Sequence, residues 1–165
     1  EYGPFMLFIL TLYLLWNKKH MFFYYIIGIF LNTILNLVLK GIFQQPRPLD
    51  NKKQFDTMIK HGKYLIFKDD GIPFNIFGMP SGHSQSCLFS LVFMFLVLKN
   101  VNLSLLYMVI SLITFYYRIH TQYHSLLQII VGGLCGSLFA YLIFYLSTQK
   151  LKGKVREKPD DNGPI

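Results

Sequence analysis

An all-α bundle that crosses a membrane several times is the architecture the sequence predicts, and three observations predict it. Of its 165 residues, 53% are hydrophobic and 17% aromatic, more than a water-soluble domain carries. The apolar residues gather into five runs, near 4–16, 21–43, 86–98, 101–117 and 127–147. Five alternating crossings, finally, bring every chemically suggestive motif to one membrane face.

About 20 apolar residues cover a hydrocarbon core. The first run is short by that measure. Because the chain opens on Glu1 rather than Met, the expectation is that part of this helix, or a segment before it, is missing; a cleaved signal peptide ranks lower. The second run is a full span, and Pro46 and Pro48 stop it near Phe43. The third and fourth reach span length only with polar edge residues such as Gln85 and Asn102, which suits helices that face a bundle. The fifth is a full span carrying Gly132, Gly133 and Gly136, a small-residue spacing that lets helices pack closely. A membrane-embedded domain over 1–147 is thus followed by a polar tail over 148–165, read as disordered. The stretch 49–79 is long enough to be a lid or a mobile connector. No internal repeat is present.

The alternation works as follows. The second span returns to one face as Lys40 and Arg47 arrive, the third leaves that face after His83, and the fourth returns to it at Arg118 just before His124. The opposite face holds Lys18, Lys19, Lys99 and the lysines of the tail. The 49–79 loop dilutes its cations with Asp50, Asp56, Asp69 and Asp70. Positive charge near span ends marks the cytoplasmic side, so the motif face is expected to be lumenal or external.

The net charge of +8 is therefore read as topology. No basic patch interleaved with exposed aromatics lies outside the spans, so nucleic acid is not an expected partner. Cys87 and Cys135 fall within spans without metal-type spacing and read as buried free thiols. Apart from Glu1, the acids sit in the loop and tail rather than in a cluster, so neither a metal nor another cofactor is expected. Nothing points to an oligomeric state.

Three elements carry chemistry. In Lys40-x6-Arg47-Pro48 the lysine should occupy the last helical turn, with the arginine on a stiff loop leaning back over it. Asn36, one turn earlier, either supports the lysine or packs on another helix. Pro80-Ser81-Gly82-His83 opens a helix, and the free N–H groups and dipole of a helix start suit an anion, with Gly82 allowing close backbone approach. In Arg118-x5-His124-x3-Gln128 the last two residues stand at i and i+4. The expected pairing has the Gln128 side-chain oxygen accept the Nδ1–H of His124, leaving Nε2 as a nucleophile. Each element alone has an ordinary explanation, as a snorkelling anchor, a helix cap or an interfacial histidine. Three cations, two histidines and a helix start on one membrane face make a costly arrangement for packing alone. His61 and His120 are read as solvated or interfacial.

At these residues the sequence resembles the type 2 phosphatidic acid phosphatase superfamily, whose pattern is Lys-x6-Arg-Pro, Pro-Ser-Gly-His, then Ser-Arg-x5-His-x3-Asp. Tyr117 stands where the family has Ser, and Gln128 where it has Asp. The segments 37–48 and 78–85, together with His124-x3-Gln128 and Gly132-Gly133, look most like its dolichyldiphosphatase branch, which also uses Gln at the final position. That branch has Ser where Gly82 and Tyr117 stand.

The resemblance implies an endoplasmic reticulum membrane enzyme with a lumenal site. It would hydrolyse dolichyl or another polyprenyl diphosphate to the monophosphate and recycle the carrier lipid for N-glycosylation. It implies His124 as nucleophile through a phosphohistidine, His83 as acid and base, and Gln128 as the partner of His124. Lys40, Arg47, Ser81, Gly82 and Arg118 would hold phosphate, without a metal. A broader lipid phosphatase acting on phosphatidate or undecaprenyl diphosphate, or a non-catalytic phospholipid-binding member, are the alternatives.

Overall fold

The computed structural model describes residues 1–48 and 77–149, which form five helices in chain order and, among the described residues, no strand. The bundle is all-α, as expected. Helix α1 covers Gly3–Leu15 and has Pro4 in its first turn, where the missing N–H costs nothing. Helix α2, Lys19–Phe43, stops where the following prolines require it, and Gln44 closes it in the left-handed region at φ 46° with its N–H on the Lys40 carbonyl. Helix α3, Gly82–Leu98, is capped by Ser81, helix α4, Val101–His120, by Asn100, and helix α5, Leu126–Thr148, by Ser125.

Of these, α2, α4 and α5 are long and apolar enough to cross a membrane. The sequence reading expected about five spans, with the third and fourth runs reaching span length through polar edge residues. The fourth does so, continuing through Arg118 to His120 as a full 20-residue helix. The third stays at 17 residues, because Ser81 caps one end and Lys99, at φ 50°, closes the other. At about 1.5 Å per residue, α1 and α3 reach only about 20 and 25 Å, against about 30 Å of hydrocarbon.

Helix α3 is the hub and packs on all four others, most extensively on α5. The glycines of α5 make that contact possible. A Cβ at Gly136 would lie 2.0 Å from the Gln85 carbonyl oxygen, and one at Gly132 2.5 Å from that of Ser81, so the two backbones touch. The small-residue spacing is thus used inside the chain. Tyr25, Phe89 and Phe93 stack through the interior, and the polar atoms beside them are paired, Tyr25 with Ser90 and Thr11 with Tyr107, each at 2.8 Å. Large apolar side chains such as Phe30 and Leu138 point outward, as lipid-facing residues do. Both cysteines are free, Cys87 buried and Cys135 partly so.

Most of the long stretch 49–79, with His61, and nearly all of the tail lie outside the described residues. Of the former, Phe77, Gly78 and Met79 are described, and they are buried.

Candidate active site

The three motifs meet at one end of the bundle, and the segment 77–81 joins them. Its backbone does most of the joining. The ammonium of Lys40, in the last turn of α2, donates to the Phe77 carbonyl. The Gly78 N–H donates to the Gln45 carbonyl at 2.7 Å, Pro46 forms an isolated antiparallel bridge with Phe77, and the Ser81 N–H donates to the Gln128 carbonyl at 3.0 Å. The peptide bond between Met79 and Pro80 is cis.

His124 is 2% exposed and sits between α4 and α5. Its Nδ1 lies 2.9 Å from the Gly78 carbonyl oxygen, and its Nε2 lies 3.4 Å from a terminal nitrogen of Arg118. A carbonyl only accepts and a guanidinium only donates, so the ring is a neutral Nδ1–H imidazole with the Nε2 lone pair turned to the cations. The electrostatics agree. Burial, and then the charges of Arg47, Arg118 and Lys40, push the His124 pKa down to about 3, outweighing the favourable bond to Gly78.

This arrangement corrects the expected pairing of His124 with Gln128. The i, i+4 argument needs both residues on one helix, but α5 begins at Leu126 and His124 precedes its cap. Gln128 is instead the third residue of a capping box: its Oε1 accepts the Ser125 N–H at 3.2 Å while its own N–H reaches Ser125 Oγ at 3.3 Å. Its Nε2–H donates to the Pro46 carbonyl at 2.9 Å.

Arg118, 6% exposed, ends α4 with its Nε buried and unpaired among the described residues. Arg47 stands on the loop after α2 as expected. Tyr123 lies between the two arginines, with the Arg118 guanidinium 4.6 Å and the Arg47 guanidinium 5.8 Å from its ring centroid. Sequence reasoning missed Tyr123, Phe77 and Gly78. The aromatic beside a histidine between two cations was a usable signal for the first, whereas backbone carbonyls leave no signal.

His83 is in the first turn of α3, half-buried, on a cavity of about 310 Å³ lined also by Pro4, Phe5, Thr33, Asn36 and Gly82. Ser81 is fully buried: its Oγ accepts the Ser84 N–H at 3.4 Å, and its own N–H is committed to Gln128. Gly82, at the helix start, keeps a first-turn N–H with no intrahelical partner. Asn36 does not support Lys40; its Nδ2 donates to Gln85 Oε1 at 2.8 Å and to the Pro80 carbonyl at 3.3 Å. Gln85 in turn donates to Asn32 at 3.0 Å, so a buried amide chain locks α2 to the start of α3. His120 is exposed and stacks on Tyr116. Among the described residues, no three His, Cys, Asp or Glu side chains come together as a metal set.

Lys40, Arg47 and Arg118 all act on His124; cations gathered in this way favour an anion among them, and a lone pair at Nε2 beside them favours an electrophilic one. A phosphoryl group meets both requirements.

Comparison with known proteins agrees with this chemistry. The model of the PAP2 superfamily matches residues 21–152, which include every residue of the site. Dolichyldiphosphatase of Saccharomyces cerevisiae is 31% identical over 130 residues, 72% of this chain and 48% of that protein. Dolichyldiphosphatase 1 of Homo sapiens is 26% identical over 140 residues, 75% of this chain and 51% of that protein, and its Mus musculus counterpart is 27% identical over the same length. The chain spans about half the length of the curated relatives it matches. No solved structure matches it significantly.

Proposed function

The chain belongs to the PAP2 superfamily, and from that premise we propose that it is an integral-membrane phosphatase of polyprenyl diphosphates, dolichyl diphosphate foremost. The observation that carries this reading is the state of His124, a neutral ring held by Gly78 with Nε2 facing Arg118. The relatives named dolichyldiphosphatase support the substrate class.

In the first half-reaction the Nε2 lone pair attacks the terminal phosphorus in line. The bond to the bridging oxygen breaks, its electron pair leaves with the lipid monophosphate, and His83 gives that oxygen a proton. In the second, His83 takes a proton from water, the hydroxide attacks phosphorus, and the P–N electron pair returns to Nε2 as phosphate departs. Lys40, Arg47, Arg118 and the Gly82 N–H carry the non-bridging oxygens, the dominant contribution in phosphoryl transfer. Ser81 shapes that cradle by starting α3. Turnover is metal-independent and takes place on the lumenal face of the endoplasmic reticulum membrane, returning the carrier lipid to N-glycosylation.

Phosphate release by the purified protein in EDTA, with dolichyl diphosphate, dolichyl phosphate and phosphatidate compared, tests the reading. Preference for the diphosphate is expected. Equal turnover of phosphatidate would indicate a broad lipid phosphatase, and release only with added Mg²⁺ would overturn the metal-free chemistry.

A further inference from the structure

We propose that Gln128 is a positioning residue for Arg47, while the nucleophile takes its orientation from the backbone of Gly78. The inference rests on the phosphatase reading above, and it assigns the glutamine to phosphate binding rather than to the histidine.

An amide offers an acceptor and a donor at once, and Gln128 uses both. Oε1 takes the Ser125 N–H, which ties it to the start of α5, and Nε2 gives its proton to the Pro46 carbonyl. That carbonyl belongs to the planar peptide unit whose nitrogen is that of Arg47, so holding the oxygen fixes the direction in which Arg47 leaves the loop. The same loop is held from the other side by the Gly78 N–H on Gln45 and by the bridge from Phe77 to Pro46. The amide lies flat against Gly78, where a Cβ would be 2.6 Å from both of its polar atoms. A carboxylate at position 128 could keep the bond to Ser125 but would set an oxygen against the Pro46 oxygen with no proton between them. His124 meanwhile has no need of the side chain, since the Gly78 carbonyl already holds Nδ1–H.

The test is a double-mutant cycle read by binding of inorganic phosphate, followed by ³¹P line broadening on the full chain in detergent. Gln128→Met should weaken phosphate binding about tenfold in the wild-type background and less than twofold in Arg47→Ala, the signature of one residue acting through the other. Ser125→Ala, which disturbs the same cap but leaves the Pro46 bond, should stay within twofold of wild type. The same factor for Gln128→Met in both backgrounds, or an equal loss in Ser125→Ala, would overturn the proposal. If the methionine variant does not fold, Gln128→Ala replaces it; it removes the same bond to Pro46 and brings no charge that would couple directly to Arg47. Wild-type protein that binds no phosphate would overturn the phosphatase reading as well, whereas binding without coupling to Arg47 would overturn this proposal alone.

Discussion

The Nδ1–H of His124 donates to the carbonyl oxygen of Gly78, 2.9 Å away on the far side of the long 49–76 stretch. A backbone oxygen, neutral and immobile, holds the imidazole in one tautomer. It leaves the lone pair of Nε2 among cations that keep the ring from charging.

Gly78→Ala tests that relationship from the carbonyl's side. The added methyl would lie 2.6 Å from the Gln128 amide, so either that amide leaves its bonds to Ser125 and Pro46 or the 77–81 segment shifts. A displacement near 1 Å in such a site costs about 100-fold in rate. Phosphate-release kinetics should show that fall in kcat.

The arginines share one aromatic surface in Tyr123. Tyr123→Leu removes it, and a cation–π contact of about 0.5–2 kcal/mol corresponds to a loss of roughly 2- to 30-fold in phosphate affinity. Tyr123→Phe should retain binding close to wild type. Titration with inorganic phosphate measures both.

Acid should destabilise the protein through His124. Its pKa is about 3 in the folded state against an ordinary 6.5, so between those values the unfolded chain binds the extra proton. The stability that the neutral ring contributes is complete above about pH 6.5 and is lost as pH falls toward 3. Thermal midpoints in detergent should therefore drop more steeply with acid in wild type than in His124→Asn, which cannot titrate there.

Gln85→Leu breaks the buried amide chain, orphaning the Asn36 amide proton and the Asn32 oxygen. Unsatisfied buried groups of this kind cost about 1–3 kcal/mol each, so the thermal midpoint should fall markedly. Ser86→Ala, on the cavity side of the same helix, should not lower it.

The parts of this molecule that the sequence disclosed are those that repeat or break a pattern. Apolar runs marked the helices, Pro46 and Pro48 marked the end of α2, and span alternation gathered Lys40, Arg47, His83, Arg118 and His124 at one end. The contact between His124 and Gln128 was misread because i, i+4 spacing is silent about where a helix starts. Ser125, a good cap three residues before a glutamine, was the available sign that α5 begins after the histidine. The roles of Phe77 and Gly78 were illegible for a different reason: any residue has a carbonyl, and only the fold decides which ones face the site. The lengths of α3 and α4 were likewise settled by caps and by a buried arginine that periodicity alone does not place.

The central claim is that His124 carries the phosphoryl group. Rapid acid-free quenching of the enzyme with a polyprenyl diphosphate labelled with ³²P at the terminal position, followed by peptide mapping, tests it most directly. An acid-labile, base-stable label on the peptide containing His124, absent from His124→Ala, is the predicted result. Label on another residue, or undiminished phosphate release by His124→Ala, would contradict it.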